Sequence, residues 1–387
     1  MLPKLTPRFK PKYGFSELKI ALKFNSNLRK QYEKKFSHKF NSKYGLMFSY
    51  GRTCIYSLLK VWELKQAEII CPAYTCVVVP HSIVKSNNIP VFVDASPKSF
   101  NMDLDQLKRK ITPKTRCVIL THLFGFPEKI DLAIKIINDA ERLYNHKIYV
   151  IQDMAHSYGC KFDGKLVSEY GDASIFGCNI SKIINSIFGG MILTNNKDTF
   201  KKLLKFRDNN FITPPQIKEF TRLLYFLASI IAFNKYVYFW VNLLARNGLL
   251  ERFTKYYDES KIDFPKDWNH LPTKIESRVG FVQLSKYDSI INSRIKQAKL
   301  ISKKYRNNQI VKVNPFQSDS TYSHIVGMVE NRDKFISDFR KKNKQEIGKI
   351  VDYCIPDFES YKKYINDHDD FPNARNYSKN IINFPIE

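Results

Sequence analysis

Three short stretches of the chain hold residues that could do chemistry together: Gln152-Asp153-Met154-Ala155-His156, the run from Ser174 to Lys182, and Gly189-Gly190. Asp153 closes the apolar run Ile148-Tyr149-Val150-Ile151, which puts a carboxylate at the end of a strand. Lys182 follows the next apolar run, and the glycine pair lies behind it. An acid on one strand end, an amine after the next strand and a glycine pair suited to close backbone approach suggest a Schiff-base cofactor site. Pyridoxal phosphate asks a protein for an amine at its C4′ carbon, an anion at its pyridine nitrogen, a donor near its ring O3′ and a phosphate cradle. Lys182 is the candidate amine, Asp153 the anion that keeps the pyridine nitrogen protonated, and His156 the neighbour of O3′. Ser49-Tyr50-Gly51-Arg52-Thr53-Cys54 leads into a helical stretch over 55–64. Backbone N–H groups at that helix start, with Gly51, the Thr53 hydroxyl and the Arg52 side chain, make the candidate cradle. Taken singly, each of these is an ordinary residue: a surface lysine, a helix-capping aspartate, a tight turn.

The elements that must position them are legible from periodicity. Short β-rich runs at 68–71, 90–93, 117–121, 147–153, 173–178 and 191–194 alternate with amphipathic helical stretches at 77–86 and 131–144. Strands that are apolar throughout and separated by helices indicate βαβ crossovers and a mainly parallel sheet, so the fold class is α/β. Ligands gather at the carboxyl ends of such strands, where Asp94, His122, Asp153 and Cys178 fall. A long helical run is expected over 275–306, and the remainder reads as a smaller α/β unit. We expect a large cofactor-binding domain over 1–265 and a small C-terminal domain over 266–387, in which His324 and Tyr353 are candidate substrate contacts.

Composition narrows the setting. The 387 residues are 43% hydrophobic, enough to bury a sizeable core. Seven cysteines with no CxxC pair argue against a disulfide framework and a zinc site and for a reducing compartment. The first two dozen residues are basic and lack an apolar signal core, so the expected location is the cytoplasm. The net charge of +26 favours anionic partners, but it is spread along the chain without a nucleic-acid-binding motif. The block 220–250 is apolar and aromatic but broken by Asn234-Lys235, which does not suit a single membrane span. Two helices buried in the core or in a dimer interface are one reading. A helix pair lying on a membrane surface is the other.

Cys71-Pro72-Ala73-Tyr74-Thr75, Pro90-Val91-Phe92-Val93-Asp94, Thr112-Pro113-Lys114-Thr115, His122-Leu123-Phe124-Gly125, Gln152 to His156 and Ser181-Lys182 together resemble the DegT/DnrJ/StrS family of sugar aminotransferases. The likeness continues through Gly280-Phe281-Val282-Gln283-Leu284 and ends at Ile382-Asn383-Phe384-Pro385-Ile386. It implies a fold-type I pyridoxal phosphate enzyme, a homodimer with shared active sites, that aminates a keto-sugar nucleotide with glutamate as donor for deoxyamino-sugar or surface-glycan biosynthesis. By that resemblance Lys182 carries the Schiff base, Asp153 partners the pyridine nitrogen, His156 neighbours O3′, and Arg52 with Thr53 belongs to the phosphate loop. Asn269 stands where the family places an asparagine that reaches the partner subunit's phosphate.

The sequence departs from the family pattern at several points. Gly177 replaces a serine that helps hold the phosphate, a hydrogen bond worth roughly 1.5 to 3 kcal/mol. Cys76 stands where an aromatic side chain often stacks on the cofactor ring, and Leu271-Pro272 replaces an arginine and a methionine. The block 220–250 is longer and more apolar than in most members. A related branch dehydrates deoxysugars and carries histidine in place of the lysine, which the retention of Lys182 disfavours. The alternative of another class is a catalytically silent binding or regulatory protein that kept the fold.

Overall fold

The computed structural model describes residues 4–23, 26–249 and 258–386. Its frame is a seven-stranded sheet built from β1 (Tyr44–Phe48), β2 (Glu68–Pro72), β3 (Ile89–Val93), β4 (Thr115–Thr121), β5 (Tyr149–Asp153), β8 (Ala173–Gly177) and β9 (Gly190–Thr194), with a small hairpin of β6 (Lys161–Phe162) and β7 (Lys165–Leu166) outside it. The strand order is β1-β9-β8-β5-β4-β2-β3. β3, β2, β4, β5 and β8 pair in parallel, and β9 alone runs antiparallel, between β8 and β1. All six expected strands are present within two residues of their expected bounds. β1 is an addition.

Apolar runs are explained by two cores, one on each face. Ile69 and Cys71 of β2 and Cys117 and Ile119 of β4 join one cluster, and Ile70, Val118 and Leu120 join the other. That is the period-2 alternation of a sheet covered on both sides. The first cluster takes α3 (Gly51–Val61), α4 (Val78–Lys85) and α7 (Lys197–Asn210); the second takes α2 (Arg29–Lys39), α5 (Leu104–Lys110) and α6 (Ile130–Tyr144). A short N-terminal helix, α1 (Phe15–Ala21), lies against the chain's later helices.

Residues 220–250 fall in α8 (Gln216–Ala232) and α9 (Tyr238–Arg246), and Leu250 lies outside the described residues. Burial in this chain's own core describes only the inner side of α8, where Leu223 and Phe226 are covered; α9 has no buried residue. Among the described residues no helix is long and apolar enough to cross a membrane.

The helix expected over 275–306 is two: α10 (Lys274–Ser285) and α11 (Tyr287–Tyr305), broken at Lys286 with φ −94° and ψ −1°. A capping box starts α10, with Glu276 N–H donating to Thr273 Oγ1 at 3.3 Å and Thr273 N–H to Glu276 Oε2 at 2.7 Å. α10 packs on α1, α2 and α8, so its periodic apolar positions serve a different surface from those of α11. Beyond it, β10 (Lys312–Val313), β11 (Ile325–Met328) and β12 (Ile381–Phe384) form an antiparallel sheet accompanied by α12 (Arg332–Asn343) and α13 (Pro372–Asn380).

Candidate active site

The ends of β4, β5 and β8 and the first turn of α3 open onto a common cleft. Tyr50, Gly51, Arg52, Thr75, Cys76, Thr121, Asp153, His156, Gly177 and Lys182 are among its lining residues. Of the four strand-end residues noted in the sequence, Asp153 alone lines it. Asp94 instead accepts the Asn373 and Ala374 N–H groups at 3.0 and 2.8 Å, capping α13. His122 is spent on Gln152 Oε1 at 2.8 Å and on the Glu128 N–H at 3.0 Å. Cys178 is buried, with its thiol pushed up to about 11.

Lys182 lies on the segment between β8 and β9. Cys178 N–H donates to the Gly189 carbonyl and Ser186 N–H to the Cys178 carbonyl, each at 2.8 Å, closing that segment at its base. Gly189 has φ +137°, and a β-carbon on Gly190 would fall 2.5 Å from the Tyr50 carbonyl oxygen. The glycine pair therefore lets the chain pass hard against the start of α3. A β-carbon on Gly51 would lie 3.2 Å from Gly177 Cα, and one on Gly177 would lie 3.6 Å from Lys182 Cε. Helix start, strand end and lysine stem are thus neighbours.

Asp153 is buried, and its Oδ1 accepts the Ala155 N–H at 3.0 Å. Among the described residues its Oδ2 receives only the long 3.5 Å contact of the Thr121 hydroxyl, itself linked to Thr75 at 3.4 Å. Burial pushes the Asp153 carboxyl above its ordinary range, while the Ala155 N–H, the Lys182 charge and Thr121 pull it back. Burial likewise draws the Lys182 ammonium below the ordinary lysine range, against the opposing fields of Cys76, Asp153 and Cys178. His156 Nδ1 accepts the Phe124 N–H at 3.4 Å, so the neutral ring carries its proton on Nε2. Burial, with the Lys182 charge nearby, holds His156 well below the usual histidine range and keeps it neutral at pH 7.

The remaining expected residues are more scattered. Gly51 and Arg52 line the cleft, and Arg52 Nη1 donates to the Asp263 carbonyl at 3.2 Å. Thr53 does not line it, and its hydroxyl donates to the Trp268 carbonyl at 3.3 Å. Asn269 is also off the lining; its carbonyl accepts the Ile212 N–H at 3.0 Å. Its neighbour His270 receives the Ser49 hydroxyl, so Asn269 stands beside the cradle strand. The His324 ring packs on His156 with centroids 4.8 Å apart. Tyr353 accepts the Val77 N–H at 3.1 Å, next to the lining residues Cys76 and Val78.

Sequence reasoning missed three contributors. Thr121 is the register partner of Asp153 across β4 and β5, a pairing that apolar runs alone do not specify. Tyr158 donates its phenol hydrogen to the Gly177 carbonyl and bolts the lysine's strand end from below. Arg222 of α8 reaches Tyr50 on the cleft wall. A tyrosine two places past His156 was a usable signal; Arg222 carried none.

These groups fit pyridoxal phosphate. A buried carboxylate has one underused oxygen, an amine of lowered basicity stands near it, and a neutral imidazole presents a donor. The start of α3, with no side-chain cap on its first N–H groups, meets them at the same cleft.

The fold agrees with solved relatives. The chain superposes on the structure of Escherichia coli GDP-4-keto-6-deoxy-D-mannose-3-dehydratase with bound hydrated PLP at a TM-score of 0.76 and 20% identity, covering 100% of this chain and 96% of that one. The fold is therefore that of the pyridoxal phosphate-dependent transferases. Residues 23–224 and 243–387 match the DegT/DnrJ/EryC1/StrS aminotransferase family, and the chain belongs to it. It is 28% identical over 182 residues to a GDP-perosamine synthase of Escherichia coli O157:H7, covering 47% of this chain and about half, 48%, of that synthase. It is 24% identical over 368 residues to a GDP-4-keto-6-deoxy-D-mannose 3-dehydratase of Yersinia pseudotuberculosis, covering 88% of this chain and 84% of that enzyme.

Proposed function

We propose that the protein is a pyridoxal phosphate-dependent aminotransferase that moves an amino group from glutamate onto a keto group of a nucleotide-linked sugar. The observation that carries this reading is Lys182, a lysine of lowered basicity in the same cleft as the buried Asp153. Relatives that act on GDP- and dTDP-linked sugars support the substrate class.

Bound in the cleft, pyridoxal phosphate supplies a carbonyl carbon for amine exchange and a ring that takes up an electron pair from the adjacent bond. Lys182 Nζ would hold that carbon and, when free, would serve as the base that moves a proton beside it. Asp153 would partner the pyridine nitrogen, with the Thr121 hydroxyl, 3.5 Å from Oδ2, helping to orient the carboxylate. His156 donates from Nε2. Gly51 and Arg52 would offer the helix start to the phosphate, with Thr53 held back on the Trp268 carbonyl, and Asn269 would reach the phosphate of a second copy in a homodimer with shared sites. His324, packed on His156, and Tyr353, beside Cys76, flank the sugar. The division into a cofactor domain over 1–265 and a small domain over 266–387 belongs to the same proposal, with α10 seated on the large unit.

The purified protein is expected to show a visible absorption band that glutamate bleaches and a keto-sugar nucleotide restores. Lys182→Ala is expected to abolish the band. A wild-type protein that binds no pyridoxal phosphate would sink the reading. A band that answers to no amino donor would make the chain a silent member of the same fold.

A further inference from the structure

The family match breaks over residues 225–242, which take in the second half of α8, the turn and the first half of α9. The inner side of α8 is firmly held: Lys218 and Arg222 pair with Asp267, at 2.8 and 3.1 Å, and Leu223 and Phe226 are buried.

Its outer side is the reverse. Ile217, Phe220, Leu224 and Ile231 fall on one stripe of α8 at helical spacing and are 49% to 64% exposed. Val237, Trp240 and Leu244 continue the exposure at the same spacing around the start of α9 and along it. Exposed apolar stripes on two consecutive helices are a surface that monomeric proteins rarely leave uncovered without a use for it.

The charges around the patch point to the occupant. Residues 220–250 contain no aspartate or glutamate. Leu5 N–H donates to the Lys235 carbonyl at 3.3 Å and Thr6 N–H to the Lys344 carbonyl at 3.0 Å, which gathers the exposed Lys4, Lys235 and Lys344 near the turn. A second copy of the chain would bring the same lysines and the same net charge of +26. An anionic lipid surface instead offers headgroup phosphates to the lysines and acyl chains to the aromatic and aliphatic stripe. We propose that α8 and α9 seat the protein on the surface of an anionic membrane leaflet, in the plane of the interface rather than across it.

The test is sedimentation of the full-length holoprotein with phosphatidylcholine vesicles, with and without phosphatidylglycerol, alongside its molar mass by light scattering. Wild type is expected to pellet with the phosphatidylglycerol vesicles and to be released by high salt. The triple variant Leu224→Ser, Ile231→Ser, Trp240→Ser is expected to lose at least tenfold in bound fraction at unchanged molar mass and melting temperature. Lys235→Glu with Lys344→Glu is expected to lose binding to the phosphatidylglycerol vesicles. Brominated lipid should quench wild-type tryptophan fluorescence more than that of Trp240→Phe, a readout that does not rest on the triple variant. Wild type left in the supernatant, or a triple variant that pellets equally well, would overturn the proposal. A halved molar mass in the triple variant would overturn it too, assigning the face to a second copy.

Discussion

Arg222 of α8 donates from Nη2 to the phenol oxygen of Tyr50 at 3.0 Å, and Tyr50 is part of the cleft wall. The same guanidinium reaches Glu276 at 2.9 Å and Asp267 at 3.1 Å and lies over the Phe188 ring at 4.0 Å. One side chain thereby joins α8, the entry to α3 and the start of α10. Whatever seats α8 on a surface is coupled to the cleft through this contact.

Arg222→Met should therefore destabilise the fold well beyond a surface change. It strands the buried carboxylate of Glu276 and weakens the hold on Asp267, a loss of about 3 to 5 kcal/mol in denaturant unfolding. Tyr50→Phe, which removes one neutral arm of the network, should cost about 1 kcal/mol. A double-mutant cycle should show the two losses to be non-additive.

Two glycines in the site should behave in opposite ways. A β-carbon on Gly190 meets backbone at 2.5 Å and Cys54 Sγ at 2.7 Å, so Gly190→Ala should lose about 1 to 3 kcal/mol and weaken cofactor binding. At Gly177 the first contacts are at 3.6 Å, so Gly177→Ser should fold with a change under about 1 kcal/mol. Its hydroxyl should tighten pyridoxal phosphate by about tenfold, measured by titrating apoprotein.

Glu128 should govern part of the pH dependence of stability. Burial pushes its carboxyl up to about 7, above its unfolded value, against the Lys129 and Met102 N–H groups. The folded state binds the extra proton between those two pKa values, so this stabilisation is complete below the unfolded value and lost as pH rises through about 7. Glu128→Gln should remove that fall and make the variant more stable than wild type at pH 8 by roughly 2 to 3 kcal/mol. Thermal melts between pH 5 and 8 would measure it.

Cofactor capture should also report the state of Lys182. With its pKa drawn down by burial, the neutral amine appears at lower pH than in a free lysine. The capture rate should therefore rise with pH and level off below the ordinary lysine range. Asp153→Asn removes a field that raises the Lys182 pKa, so its plateau should begin at lower pH still. A profile unmoved by Asp153→Asn would contradict the coupling.

Much of the frame was legible because apolar strands and amphipathic helices leave local signals. Asp153 was legible because a strand end fixes where its last side chain stands, and Lys182 and His156 because each follows a strand end within a few residues; all three line the cleft. His122 misled for the same period-2 reason. Thr121 and Asp153 are register partners that both line the cleft, and one residue along, His122 points away to meet Gln152, the residue just before Asp153. The Arg222 contact was hidden by distance along the chain: 172 residues separate it from Tyr50, and only the folded packing of α8 joins them. The break at Lys286 was hidden because α10 and α11 keep helical periodicity on either side of it.

The reversal of β9 has a consequence for how the protein assembles. β8 and β9 pair antiparallel through Ser174 with Leu193 to Gly177 with Gly190, so the loop bearing Lys182 is framed by strands adjacent in the chain. That frame closes a short loop and carries a small entropy cost. Asp153 instead depends on parallel pairings of β5 with β4 and β8, and the β4 pairing requires a long crossover before any contact is rewarded. The amine's frame can form early in folding, while the acid opposite it waits on the slower half of the sheet.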